Sequence, residues 1–373
     1  MARTFLATVM LLGLCLSPPA FADGPAAVPA EPRAKVQQTV DRAIGYLQTE
    51  SAAWLKQRKC AACHHVAMPM WALGEAGRQG YAIDRKFLDD TGEATLGSLR
   101  KMMDARIVPD PAAPPDPRPL GKGVSTGAVF MAVVAQSLPS LDDGQKQSLR
   151  LIAADVIKKQ REDGSWDFYL SRPPINESQA TDTAWILMAL QGETARERST
   201  AASTTPTSAT RDSTSRDLAA SDAATPSRIA LDKGTAWLAR ADLAAEREAR
   251  VLRLLLALRA DTPRTQLQPA IDELLSLQRP DGGWSQTATT SSDAFATGQA
   301  LYVLALSDQT ASHPSLQRAI HFLVSTQSPD GSWPMSSRAT PDGRPGSAKL
   351  LTPIKCAAAA WATLGLARAV PGG

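Results

Sequence analysis

Apolar and polar positions along the chain fall into two alternating helical rhythms. In the first, apolar residues recur every three or four positions and charges fill the rest, as in LQPAIDELLSLQ at 267–278. This rhythm predicts amphipathic helices near 36–57, 85–106, 143–160, 229–241, 265–278 and 314–327, each burying one face. The second rhythm is almost wholly apolar and follows each of these. Its segments align on a small residue: Trp71-Ala72-Leu73, Met131-Ala132-Val133, Met188-Ala189-Leu190, Leu256-Ala257-Leu258, Leu304-Ala305-Leu306 and Leu364-Gly365-Leu366. A helix apolar on every side must be covered on most sides, and the recurring small residue is expected to be where neighbouring helices approach closely. Six amphipathic-then-apolar pairs predict six helical hairpins, all-α, with an inner apolar ring and an outer amphipathic one. A closed ring buries its own ends and needs no capping repeats.

A repeated word punctuates the rhythm. Gln160–Trp166 reads QREDGSW, Gln278–Trp284 reads QRPDGGW and Gln327–Trp333 reads QSPDGSW, each at the end of an amphipathic segment. Asp-Gly is a turn former, because Gly accepts positive φ and Asp bonds nearby backbone. Each copy therefore reads as helix end, tight turn, and a Trp folded back onto the protein. Two stretches break the rhythm. Residues 108–119, VPDPAAPPDPRP, are too proline-rich for helix and read as an extended loop. Residues 193–228 are Ser/Thr/Ala-rich with scattered charge and read as a disordered insert.

Composition narrows the function. Lys and Arg number 40 against 37 Asp and Glu in 373 residues. No basic block is present, so nucleic acid is not expected as a partner. Arg3, the apolar run Phe5–Leu16 and Ala20-Phe21-Ala22 read as a secretory signal peptide, residues 1–22. A Pro/Ala linker follows at 23–35, then a toroid domain at 36–370. The expected location is exported, periplasmic or extracellular, with no membrane span in the mature chain. The oligomeric state is not readable from the sequence.

The three Q-x-x-D-G-x-W words resemble the QW repeats of squalene and oxidosqualene cyclases. The hairpin ring is similar to the α/α-toroid of those cyclases, of protein prenyltransferase β-subunits and of complement-like thioester domains. The resemblance implies that Gln160, Trp166, Gln278, Trp284, Gln327 and Trp333 brace the ring, which is a structural role. It also implies an apolar or isoprenoid-like small molecule as the partner. Fold alone does not carry activity.

The cyclases supply their proton from a D-x-D-D-T-A-like stretch. The nearest match is Gln179-Ala180-Thr181-Asp182-Thr183-Ala184. Asp182 and Thr183-Ala184 agree with the pattern, but Thr181 stands where the family has its proton donor. Proton-initiated cyclisation is therefore not expected. Asp182 reads either as an acid favoured by a helix N-terminus or as a functional acid facing the ring, with Asp293 as a further candidate. Aromatic residues make up 5% of the chain, which predicts a ring poor in groups to cradle a carbocation. A prenyltransferase-like zinc site would need converging Asp, Cys and His. Cys356 has no Asp beside it and reads as a small buried hydrophobe.

The remaining chemical word is Cys60-Ala61-Ala62-Cys63-His64-His65. C-x-x-C-H is the attachment word for c-type haem: Cys60 and Cys63 would take the vinyl groups, His64 the iron, and His65 would stand as an additional ligand. Three other readings of the word remain: a Cys60–Cys63 disulfide, a metal held with His64 or His65, and a packed helix cap. The leading expectation is an exported toroid carrying haem c for redox or ligand binding. The alternatives are an isoprenoid-processing enzyme using Asp182 or Asp293 in an apolar central cavity, and a non-catalytic scaffold that binds lipid or peptide.

Overall fold

A computed structural model describes residues 31–58, 63–107, 123–138, 140–168, 174–204, 225–338 and 347–373. The signal peptide, linker residues 23–30, Cys60 and the proline-rich stretch 108–119 lie outside the described residues, and the last linker positions, 33–35, are the first turn of a helix.

The described chain is helical throughout. It runs through α1 (Arg33–Arg58), α2 (Met68–Arg78), α3 (Arg85–Ile107), α4 (Thr126–Val134), α5 (Asp143–Lys158) and α6 (Gln179–Thr204). It continues through α7 (Pro226–Arg240), α8 (Arg247–Arg259), α9 (Arg264–Ser276), α10 (Ala294–Leu306), α11 (Pro314–Thr326) and α12 (Ser347–Ala369). A π-helical turn, Cys63–Ala67, leads into α2. Among the described residues the only β-type pairing is an isolated parallel bridge, Val124 to Phe168.

Odd-numbered helices are the predicted amphipathic ones and even-numbered helices the apolar ones. The inner helices pack in order, α2 on α4, α4 on α6, α6 on α8, α8 on α10, α10 on α12, and α12 back on α2. The ring is closed, as the alternation predicts. Outside it, α11 packs against α1, and α3, α5 and α7 follow one another.

The repeated words supply the bracing, and all three do so in the same way. The amide of Gln160 donates to the carbonyls of Gly164 (2.9 Å) and Ala230 (3.0 Å), the latter in α7. Gln278 donates to Gly282 (2.8 Å) and to Ser315 in α11 (2.7 Å). Gln327 donates to Gly331 (3.2 Å) and to Thr39 in α1 (2.9 Å). Each Gln thus ties the end of one outer helix to the first turns of the next, and the last copy joins α11 to α1 across the seam. The indole N–H groups of Trp166, Trp284 and Trp333 donate back to Val156, Leu274 and Leu323 at 2.8–2.9 Å. Gly331 holds φ at +88°, and a Cβ there would stand 2.3 Å from the Arg42 carbonyl oxygen.

Three expectations change. First, residues 193–204 are the last turns of α6, so the stretch read as a disordered insert does not begin at 193. Glu193 pairs with Arg196 one turn on (2.7 Å), and Glu197 accepts hydrogen bonds from Thr225 (2.7 Å) and Ser227 (2.9 Å) at the start of α7. The charges scattered through the Ser/Thr/Ala stretch are what hold this end. Residues 205–224 lie outside the described residues. Second, the small residue is not the contact point in every inner helix, because Ala257 and Ala305 are half-buried. The closest approach uses Gly298 and Gly365, where a Cβ would meet backbone of the facing helix at 2.4 and 2.8 Å.

The third change is at the ring centre, which is rich in aromatics. Trp71, Phe130, Trp185, Phe295, Tyr302 and Trp361 come from five of the six inner helices and are all buried. Trp71 meets Trp361 and Tyr302 edge-on, with centroids 5.1 and 5.8 Å apart, and Phe130 meets Trp185 at 4.3 Å. Such pairs add about 0.5–1.5 kcal/mol each beyond area burial. A low aromatic fraction concealed their concentration in one place. They fill the centre, so the apolar central cavity expected for an isoprenoid is a packed core here.

Candidate functional site

Three of the inner helices begin at an acid. Asp182 lies in the first turn of α6, Glu248 in the first turn of α8, and Asp293 is the N-cap of α10. Ser178, just before α6, hydrogen-bonds the Glu246 carboxylate just before α8, which draws these two helix starts together.

Asp182 is buried and accepts a hydrogen bond from the Phe168 backbone N–H at 2.8 Å. Burial pushes its carboxyl up to about 7, against the lowering effect of the Phe168 and Asn176 hydrogen bonds. Thr183, the next residue of the cyclase-like stretch, has a bracing role: its hydroxyl accepts from the Trp166 backbone N–H at 3.1 Å. Thr297 does the same for Trp284 at 2.9 Å. The Thr of that stretch is therefore part of the repeat architecture.

Asp293 has a structural job. Its Oδ1 accepts from the Ala296 N–H (2.9 Å), and its Oδ2 from the Gln286 amide (2.9 Å). It keeps some solvent contact, yet protein surrounds it on most sides, and burial raises its carboxyl to about 6. The Gln286 carbonyl in turn accepts from Arg338 (2.8 Å), and Arg338 pairs with Glu177.

Glu248 was not singled out from the sequence. REARVLRLLLALR reads as an apolar inner segment with a charged start, and nothing in it separates Glu248 from its arginines. In the structure it is 6% exposed; Oε1 accepts from the Gln299 amide at 3.2 Å, and Oε2 is buried with no hydrogen-bond partner. Burial raises its carboxyl well above the ordinary range, and Glu177 and Asp182 push the same way. The usable sequence signal was positional: Glu248 stands at the start of an inner helix, as Asp182 does. Glu248 lines a narrow apolar cleft between α8, α9 and α10, with Leu254, Leu274, Phe295, Gln299 and Arg338.

The histidines of the C-x-x-C-H-H word sit in a different sector. The turn Cys63–Ala67 packs on α1, α4 and α12. His65 is buried and stacks on Trp54, centroids 4.0 Å apart, and its Nδ1 has no hydrogen-bond partner. Burial lowers its imidazole to about 4, so it is neutral near pH 7. His64 is 8% exposed. Cys356 is a free, fully buried thiol, as expected of a packing residue, and no group of three His, Cys, Asp or Glu among the described residues could hold a metal. No described helix is long and apolar enough to cross a membrane.

The comparisons with known proteins agree with this architecture. Residues 241–371 match the family model of the squalene-hopene cyclase C-terminal domain, a span that holds α8 to α12 and two of the three repeated words. Among solved structures, the chain is similar to the type II terpene cyclase MstE from Scytonema. One form is in complex with its substrate, geranylgeranyl dihydroxybenzoate (TM-score 0.50, 13% identity). Another is in complex with its product, merosterolic acid A (TM-score 0.51, 14% identity). Each comparison covers 91% of this chain and 98% of that chain. At these identities the likeness is one of fold. No curated protein matches.

Proposed function

We propose that this is an exported toroid enzyme that uses neutral carboxyl groups at the starts of its inner helices to process an isoprenoid-like molecule. The observation that carries the reading is the pair Asp182 and Glu248, two buried acids whose surroundings favour the protonated form. Glu248 lines an apolar cleft and Asp182 lies close enough to act on it electrostatically; perturbed acids so placed are where general acid–base chemistry is expected. Support also comes from the squalene-hopene cyclase match over residues 241–371 and from a terpene cyclase of the same fold that binds a geranylgeranyl compound.

The same numbers narrow the chemistry. A carboxyl raised to about 7 is a weaker acid than an ordinary one, and protonating a plain alkene demands a stronger one. It is well matched to exchanging a proton with an oxygen near neutral pH. The favoured substrate is thus an oxygenated isoprenoid, such as an epoxide, an allylic alcohol or a prenylated aromatic. Incubating the purified chain with such compounds and with squalene, followed by mass spectrometry of products, tests this. Conversion of an oxygenated substrate that Asp182→Asn abolishes is expected. Absence of conversion across the panel, or undiminished conversion by Asp182→Asn, would refute it.

A second reading, haem c at Cys60 and Cys63 with His64 on the iron, is supported by the donor set of C-x-x-C-H and by a neutral His65 with a spare ring nitrogen. When bound, haem would supply electron transfer or ligand binding at iron. The enclosure of His64 by three helices weighs against it, since an axial imidazole needs an open side for a porphyrin. Production alongside a haem-maturation system separates the readings. A Soret band and a covalent mass gain, both lost in Cys60→Ala/Cys63→Ala, would establish haem. A colourless protein of unmodified mass would remove it.

A further inference from the structure

A cavity of about 890 Å³ lies between the outer helix α7 and the inner helices α6 and α8, beside the turn that ends α4. Small-molecule sites run to about 300–1,000 Å³. The cavity is distinct from the acids described above: Gln191, on its wall, stands about 13 Å along α6 from Asp182. Leu187, Leu231, Leu238 and Leu256 make much of the wall apolar.

The charges on that wall do not balance. Five arginines face two aspartates. Arg228 pairs with Asp232 at 2.9 Å, and Arg196 with Glu193 at 2.7 Å. Arg198, Arg253 and Arg259 line the cavity with no ion pair among the described residues, and Asp261 is the one unpaired carboxylate to set against them. Arg259 is also held in place. Its Nε donates to the side-chain carbonyl of Gln191 at 3.3 Å, and its Nη2 to that of Gln136. Both amides are clamped in turn. Gln136 donates to the backbone carbonyls of Met188 (3.0 Å) and Ala132 (3.3 Å), and Gln191 to that of Leu256 (2.9 Å). Gly192 makes room for this arrangement, since a Cβ there would stand 2.3 Å from the Gln136 amide nitrogen. A guanidinium has five N–H donors and keeps its charge, so two bonds to neutral amides orient the fork without cancelling it. Such a fork suits a carboxylate or phosphate. Arg259 lies in the last turn of α8, where any cation is favoured by the helix dipole. That role needs the charge, but neither an oriented fork nor a cavity beside it.

We propose that this cavity binds an organic oxyanion, a carboxylate or phosphate monoester on an apolar body, with the anionic group on Arg259 and the body against Leu187, Leu231 and Leu238. Calorimetry on the full chain at fixed ionic strength tests it, with octyl phosphate, octanoate, octanol and inorganic phosphate as probes below their aggregation limits. Octyl phosphate or octanoate is expected to bind, the tighter of the two assigning the head. Octanol, which lacks the charge, and inorganic phosphate, which lacks the body, should each bind roughly tenfold more weakly or worse. Arg259→Gln should weaken the organic anion by a similar factor. Thr235 is exposed on α7 and lines the cavity, so Thr235→Trp fills the space while leaving every arginine in place, and it too should weaken binding roughly tenfold. Should Arg259→Gln fail to fold, Thr235→Trp decides alone. Binding of neither organic anion, equal binding of octanol or of inorganic phosphate, or undiminished binding in a folded Arg259→Gln overturns the proposal. Undiminished binding in Thr235→Trp overturns it as well, by placing the anions on the basic surface outside the cavity. These readouts involve no turnover and neither Asp182 nor Glu248, so the enzymatic reading stands or falls separately.

Discussion

At the scale of single residues, burial decides the charge state of this protein more than sequence neighbours do. Asp182 and His65 show the two opposite signs. The Asp182 carboxyl is raised from 3.8 to about 7, so the folded state holds its proton over a range where the unfolded chain has released it. Its contribution is greatest below about pH 4 and is lost as the pH rises to 7, a swing of roughly 4 kcal/mol. His65 is lowered from 6.5 to about 4, so the unfolded chain takes up a proton first as the pH falls. Its contribution is whole above about pH 6.5 and is lost on acidification, by roughly 3 kcal/mol. The two slopes oppose each other between pH 4 and 6.5. Asp182→Asn should remove the first and leave the second, so the variant should be more stable than the parent above pH 7. Urea midpoints measured across pH check this, and a variant less stable at pH 8 would mean that Asp182 is ionised and held by partners. A gain in stability at the loss of activity would be the signature of a strained functional acid.

Glycine positions make a sharper local test. Gly331 has positive φ and backbone of α1 against it, so Gly331→Ala should cost about 3 kcal/mol or more. Gly45 lies exposed within α1 with nothing within 4 Å of a Cβ, so Gly45→Ala should stabilise by about 0.5–1 kcal/mol. Chemical denaturation of the two variants side by side is the measurement.

At the scale of elements, the repeated word works as a fastener between consecutive outer helices. Its Gln spans two backbone carbonyls, its Trp reaches back to the helix it ends, and the Gly of Asp-Gly takes a positive φ that lets the next helix approach. Gln327→Ala removes the hydrogen bonds to Gly331 and Thr39 and a guanidinium contact from Arg42, at 2.7–2.9 Å, in one step. A loss of about 2–3 kcal/mol is expected, with faster amide exchange concentrated in α1 and α11 at the seam. Uniform loss of protection around the ring would show instead that the seam has no independent stability. These fasteners were legible in the sequence because Asp-Gly and a Trp at fixed spacing leave little freedom in what they can form. The C-terminal end of α6 was not, because Glu197 holds it only when Thr225 and Ser227 at the start of α7 are there to donate.

At the scale of the whole molecule, the ring itself was readable from the alternation of amphipathic and apolar segments, since no other arrangement covers six all-round apolar helices so economically. What fills the ring was not. Six aromatics scattered through the sequence meet at its centre, and that convergence closes the space a central ligand would need. The same limit hid Glu248, which stands at the start of an inner helix, opposite Gln299, with Oε2 buried and without a hydrogen-bond partner among the described residues. Composition and motif reach the scaffold; they do not reach which polar groups the scaffold strands.

The proposed chemistry depends on neutral carboxyl groups at the beginnings of α6 and α8. Infrared spectroscopy of the purified protein in heavy water at neutral pH measures them directly, through the carbonyl stretch of protonated carboxylic acids. The account predicts such absorption at pH 7, with one component missing in Glu248→Gln and another diminished in Asp182→Asn. A spectrum at pH 7 with carboxylate absorption alone, unchanged by either substitution, would contradict it.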